Sequence, residues 1–214
     1  MNKLIIYASV LVLAACNSPK GENAETADKQ TVNMADGTAY VLDSTSRINW
    51  AASKPTATHT GTFILKEGTF LVKDDNLTGG NFTIDIASIN NTDMKAGEGK
   101  EKLEGHLKSP DFFDATKFST AKFEITNVTA NNPDSASSIN ATHTISGNLT
   151  LKDSTKNISF PARITMDNRS ITAKADFNID RTMWGMNYKG PGNPQDWLIS
   201  KQVNLKLDLS ASKK

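Results

Sequence analysis

Cys16 is the residue whose type and surroundings point most directly to chemistry. It ends the sequence LAAC at residues 13–16, and small residues directly before a cysteine let a lipoprotein signal peptidase reach the bond beside a diacylated thiol. Cys16 is also the only cysteine, so the chain can form no internal disulfide. We predict that Cys16 becomes a lipid anchor. The alternative is an ordinary secretory signal in which the cysteine stands by chance.

The residues before Cys16 have the features of a signal peptide. Lys3 precedes an apolar run that ends at Ala15, and this run is shorter than the roughly 20 residues that a membrane-spanning helix needs. We predict a cleaved signal peptide over residues 1–15 and membrane attachment through acyl chains on Cys16. Position 17 is Asn, not the Asp that retains lipoproteins in the inner membrane of well-studied Gram-negative bacteria. We therefore expect a cell-envelope location, on the outer membrane and facing the periplasm or the surface.

The composition changes sharply after the cysteine. Residues 17–37 are mostly Asn, Glu, Ala, Thr, Lys and Asp, with almost no large apolar side chains, and such segments do not bury enough surface to fold. A flexible chain of about 20 residues reaches roughly 25 Å. We predict a lipidated N-terminus and flexible tether over residues 16–38, followed by one folded domain over residues 39–214.

The other reactive side chains form no convergent set. His59, His106 and His143 are scattered without metal-ligand spacing, and a second cysteine is missing. We find no nucleophile elbow, phosphate loop or paired-carboxylate signature, so we predict neither catalysis nor a metal or cofactor site. The formal charge is +1 with acidic and basic residues well mixed, which argues against a nucleic-acid partner.

Apolar residues recur at every second position through the domain. Such alternation predicts strands with one dry face and one wet face, and the short turn-forming clusters between them predict antiparallel neighbours. About eight strands are expected, which leaves a closed barrel or a sandwich. The apolar rows lie at about residues 48–52, 62–72, 82–86, 123–128, 145–151, 158–166, 171–179 and 203–209.

One helix is predicted, over residues 95–107. Leu103 and Leu107 lie one turn apart on the same side of it, whereas three glycines weaken it. Pro110 stops the helix because the residue before a proline disfavours helical geometry. We expect this short helix to cover the mouth or the base of a barrel.

Four stretches of the domain resemble the YceI-like family of small periplasmic or secreted proteins. The most characteristic is HLKSPDFFD at residues 106–114. Many members carry an Arg-Asp pair just before it, where this chain has LEG at residues 103–105. The other stretches are YVLD at residues 40–43, GNLTLK at residues 147–152 and FNIDRTMWG at residues 177–185.

The resemblance implies an all-β fold, an eight-stranded antiparallel up-and-down lipocalin-like barrel with one short capping helix. It also implies non-catalytic binding or carriage of an isoprenoid, quinone-like or similar apolar lipid in the lumen, and eight strands can enclose one small ligand. A ligand-free stress-response or interaction domain with a packed barrel is the alternative. The candidate lumen and rim residues are Phe82, Ile84, Phe112, Phe160, Ile164, Phe177, Arg181, Trp184, Leu205 and Leu207.

The roles of several rim residues stay open at this point. Arg181 is expected either to receive the polar head of a ligand or to close one end of the barrel by bonding carbonyls. His106 is expected either to have a structural role, such as hydrogen bonding to loop carbonyls, or to contact the ligand. Trp184, Tyr188 and Trp197 flank a Gly/Pro/Asn-rich loop, where they either line a ligand entrance or anchor the loop to the rim.

Replacement of the predicted anchor gives a direct test of the lipidation motif. We expect Cys16→Ser to abolish acylation, because no other cysteine can take its place, and to leave unprocessed or unanchored protein. Metabolic labelling with a radioactive fatty acid measures the outcome. Label in the mutant at the wild-type level would show that Cys16 is not the anchor.

Overall fold

The computed structural model describes residues 21–33, 36–131, 139–190 and 199–214. Cys16, the predicted signal peptide and Trp197 lie outside these residues. Over the described part, no helix is long and apolar enough to cross a membrane. The strands are β1 (Glu22–Asn23), β2 (Glu25–Asp28), β3 (Thr38–Leu42), β4 (Arg47–Lys54), β5 (Ala57–Lys73), β6 (Asn76–Asn91), β7 (Thr120–Ala130), β8 (His143–Leu151), β9 (Ser154–Met166), β10 (Ser170–Asp180) and β11 (Gln202–Lys213), with one α-helix, α1 (Lys100–Lys108), and one short 3-10 helix (Arg181–Trp184).

Strands β4 to β11 form a closed antiparallel barrel in which each strand pairs with the next in sequence. The barrel closes where β11 pairs with β4, and Leu205 stands opposite Trp50 in that pair. Strand β3, like β4, lies between β5 and β11. It pairs with them nearer the other end of the barrel. The predicted eight-stranded up-and-down barrel is therefore confirmed.

The alternation in the sequence decides which side chains fill the barrel. Phe177 on β10 and Leu205 on β11 are register partners that face inward, while their neighbours Asp176 and Lys206 pair as ions on the outside at 3.1 Å. The same division holds around the wall because successive side chains of a strand point to opposite faces. The core is thus one apolar cluster inside the barrel.

The predicted helix is present but begins later than expected. Residues 95–99 form turns, and α1 starts after Gly99, whose φ of 101° lies in the left-handed region that glycine adopts without strain. It ends at Lys108, and Ser109 caps it directly before Pro110. Leu103 and Leu107 border the lumen, so the helix covers one end of the barrel as predicted.

The segment of residues 21–33, which we call the strap, is not a free tether. Within it, β1 pairs in parallel with β10 and β2 pairs antiparallel with β9. The prediction of a tether without contacts is therefore wrong for residues 21–33. Composition rightly indicated that this segment buries little apolar surface, but backbone hydrogen bonds to free strand edges hold it instead.

Buried asparagines on the outer face of the barrel fasten the strap. Asn148 is fully buried, accepts from the backbone N–H of Gln30 at 3.0 Å and donates to the carbonyl of Gln30 at 2.8 Å. Asn178 donates to the carbonyl of Gly21 at 2.9 Å. An asparagine amide carries both a donor and an acceptor, so it can take the place of a neighbouring strand's peptide group.

Removal of one such amide should loosen the strap. Asn148→Ala deletes both bonds to Gln30 and the bond that Asn148 accepts from Asn157 at 3.1 Å, so we expect the free energy of unfolding to fall by about 1–3 kcal/mol. Urea denaturation measures the change. The matched control is Asn49→Ala at an exposed position of β4, which should stay within about 0.5 kcal/mol of wild type. Equal effects would mean that Asn148 does not hold the strap.

Candidate functional site

An apolar cavity of about 250 Å³ lies inside the barrel. Its wall takes side chains from all eight barrel strands and from α1, so the lumen is at least partly hollow. Cavities lined by Leu, Ile and Phe stay dry and accept apolar guests. Representative lining residues are Ile48, Trp50, Phe63, Ile84, Leu107, Phe123, Leu149, Phe160, Phe177 and Leu205.

The structure places nine of the ten predicted lumen and rim residues on this cavity. Trp184 is the exception, since its ring is 1% exposed and its indole Nε1 donates to the carbonyl of Leu149 at 3.0 Å. That bond anchors the segment after β10 to the wall, and the ring packs in the core cluster without bordering the cavity. The nine residues that line the cavity are Phe82, Ile84, Phe112, Phe160, Ile164, Phe177, Arg181, Leu205 and Leu207.

Aromatic rings follow one another along part of the cavity wall. Phe160 and Phe177 stack with centroids 4.0 Å apart and an angle of 10° between the rings. Phe123 lies 5.8 Å from Phe160, and Phe82 lies 6.4 Å from Phe123. The row ends at Phe70, whose centroid is 4.9 Å from that of Phe82. These contacts between neighbouring rings make this part of the cavity wall rigid and apolar.

Two glycines make room for large rings, and they show what sequence reasoning missed. A Cβ on Gly61 would lie 2.4 Å from the indole of Trp50, its register partner, and a Cβ on Gly147 would lie 2.3 Å from the ring of Phe123. We did not predict Trp50 or Phe123 as site residues. The available signal was a glycine across from an aromatic residue, directly opposite for Gly61 and Trp50 and diagonally placed for Gly147 and Phe123, but its use requires knowledge of the strand register.

Trp50 also carries an unusual polar group for this wall. Its side chain is 6% exposed, and its Nε1 has no hydrogen-bond partner among the residues that the structure describes. A buried donor without a partner costs about 1–3 kcal/mol. The largely apolar wall of the lumen therefore contains a buried hydrogen-bond donor that is unpaired among the described residues.

Arg181 closes one end of the barrel. Its guanidinium donates to the carbonyls of Ser200 at 3.1 Å, Tyr188 at 3.0 Å and Ile199 at 3.3 Å, and also to that of Met186. Burial lowers the pKa of Arg181 from its usual value. Because these bonds occupy both terminal nitrogens and Nε, the structure favours the role of a clamp over that of a headgroup receptor.

The histidines have separate, local partners. The Nε2 of His106 lies 2.9 Å from a carboxylate oxygen of Asp111, and its ring meets Tyr188 edge-on at 4.6 Å. His59 pairs with Asp93 at 2.9 Å beside the cavity. His106 thus has a structural role, although its partner is a carboxylate and not a carbonyl. No group of three or more potential metal ligands occurs within the described ranges.

A family model and several solved structures match this chain. The model of the YceI-like domain matches residues 40–211. No curated protein matches. The alignment begins at β3, so the strap precedes the part that the family model covers.

The solved structures share the fold at low sequence identity. BcnA of Burkholderia cenocepacia is 16% identical with a TM-score of 0.62, over 79% of this chain and 99% of that one. A polyisoprenoid binding domain from Saccharophagus degradans is 16% identical with a TM-score of 0.58, over 83% and 99% of the two chains. The YCEI protein of Campylobacter jejuni is 20% identical with a TM-score of 0.51, over 71% and 84%.

The clamp made by Arg181 can be tested by a change that keeps the positive charge. Lysine cannot reproduce the planar fork, so Arg181→Lys should leave several buried carbonyls unpaired and lower the free energy of unfolding by about 2–4 kcal/mol. The control is Arg163→Lys at an exposed position of β9, which should be nearly neutral. Chemical denaturation of both variants decides. Equal stability of the two variants would refute the clamp.

Proposed function

The chain belongs to the YceI-like domain family, and from that premise we propose that it binds an apolar isoprenoid or quinone-like lipid in the barrel without making or breaking a bond. The observation that carries the proposal is the apolar cavity enclosed by the eight strands. One structure with the same fold is described as a polyisoprenoid binding domain, which supports the choice of ligand class.

The wall favours a hydrocarbon chain over a polar ligand. Phe160, Phe177 and Leu205 present only carbon atoms to the lumen, and each methylene moved from water to such a site contributes about 0.8 kcal/mol. A charged ligand would lose its hydration and find few partners. The cavity is somewhat smaller than the roughly 300–1,000 Å³ of common ligand sites, so a long lipid would fill it and displace part of the wall or extend outside.

We further propose that the protein works as a lipoprotein of the cell envelope. The sequence LAAC at residues 13–16 supports acylation of Cys16, and Asn17 supports an outer-membrane address. An anchored barrel would remain beside a membrane that stores its ligand. The protein would then sequester the lipid or ferry it between the membrane and the periplasm.

Polar substitutions in the lumen separate a lipid-filled barrel from a packed one. Leu205→Asn and Phe160→Ser should remove the extractable lipid while stability stays close to that of lipid-stripped wild type, because local solvation relieves much of the burial cost. Mass spectrometry of organic extracts measures the lipid and denaturation midpoints measure stability. The matched control is Lys206→Asn on the outer face of β11, next to Leu205. This variant should retain the lipid.

The stripped wild type is the reference for stability, since a bound ligand itself stabilises the folded state. If wild-type protein yields no lipid and both lumen variants lose about 3–5 kcal/mol relative to that reference, the lumen is a packed core. That result would reject lipid binding in favour of a ligand-free interaction domain.

A further inference from the structure

The barrel wall is incomplete between β9 and β10 until the strap is added. These two strands pair directly only where residues 162–166 meet residues 171–175. We propose that the strap is a displaceable part of the wall, and that its departure opens a lateral port through which lipid enters and leaves. This inference rests on the proposed function, since it concerns access to the same lumen.

The strap fills the gap between the free edges of β9 and β10 at this place. Its β1 residues pair with Phe177 and Asn178 of β10, and the N–H of Ala24 donates to the carbonyl of Asn178 at 2.8 Å. Two residues after Ala24 the chain has moved to the free edge of β9, where Thr26 stands opposite Ile158. Phe177 and Ile158 both line the cavity, so displacement of the strap would uncover the wall directly outside them.

Few apolar contacts hold the strap in place. Ala24 packs against the core cluster, but most of the segment is exposed. Asp28 is 93% exposed in its ion pair with Lys156, and exposed ion pairs contribute little stability. Segments with few buried apolar contacts open at a lower free energy than the rest of a structure.

The helix end of the barrel is fastened more firmly. There the buried guanidinium of Arg181 bonds carbonyls on both sides of the segment that follows the 3-10 helix. Leu103, Leu107 and Phe112 pack over the lumen at the same end. Opening this end would expose a buried charge and its partners. Opening the strap breaks backbone pairs and the bonds of Asn148 and Asn178 to the strap, and water can replace both kinds of bond.

The proposed lipid anchor would also bring the port to the membrane. Gly21 follows Cys16 by only five residues, and a fully extended chain of that length spans about 17 Å. The strap would therefore start close to the surface of the bilayer. Displacement of the strap would open the lumen towards the membrane that supplies the lipid.

A reversible covalent lock tests the port. Glu25 and Ser159 are register partners across the junction of β2 and β9, so Glu25→Cys with Ser159→Cys can tie the strap down in full-length protein that also carries Cys16→Ser. The control lock is Lys174→Cys with Asp208→Cys, register partners in the β10–β11 pair. The readout is the transfer rate of fluorescently labelled farnesol from protein to phosphatidylcholine vesicles.

We expect oxidation to slow transfer from the strap lock by about tenfold or more, because local opening is then prevented, and a reductant to restore the rate. The protein with the control lock should transfer the farnesol probe at the same rate whether its disulfide is oxidised or reduced. Equal rates for the oxidised and reduced strap lock would overturn the port and place the entrance at the helix end. Failure of every protein, wild type included, to take up the probe would instead overturn the lipid-binding proposal.

A second pair of variants weakens the strap. Ala24→Asp places a carboxylate against the core cluster, and Ala27→Asp places one at an exposed position of the same segment. We expect faster transfer from the first variant and an unchanged rate from the second. Equal rates for the two variants would contradict the port even if the cysteine lock forms poorly.

Discussion

Every backbone N–H and C=O in the wall must find a partner, and this constraint governs the rest of the structure. Eight antiparallel strands satisfy it by closing on themselves. Closure then forces half of the side chains inward, and because the rows are apolar, the interior becomes a hydrocarbon space. Where β9 and β10 pair only partly, the same constraint brings in the strap, whose own composition gives it little other reason to be ordered.

The fold was largely predictable from the sequence because a period of two is read directly along the chain. Rows such as the one from Ile158 to Met166 showed both the strands and their inward faces. The start of α1 was predicted too early, because the sequence does not show at which of the three glycines the turns end and the helix begins. The strap was missed because its partners are outward asparagines such as Asn148 and Asn178, which look like ordinary wet-face residues until the segment that covers them is known.

The site was predicted in part for the same reason. Alternation identifies inward residues such as Ile84 and Leu205, but it cannot show that Trp50 lies over Gly61, since that contact depends on register. The two roles considered for Arg181 could not be separated in advance, because its carbonyl partners converge only in three dimensions. Trp184 was predicted as a rim residue because it flanks the Gly/Pro/Asn-rich loop in the sequence. Its Nε1 instead donates to the carbonyl of Leu149 on β8, and a contact between residues so far apart in the sequence could not be predicted.

The strap also has a consequence for the time course of folding. The hydrogen bonds from Asn148 to Gln30 and from Asn178 to Gly21 join residues 118 and 157 positions apart. Contacts this distant in sequence form slowly because a long loop must close first. The strap therefore cannot take its place before β9 and β10, which lie far along the chain, have formed. Until then its backbone stays accessible to water and to any enzyme that acts on the N-terminus, and the wall is sealed as one of the last steps of folding.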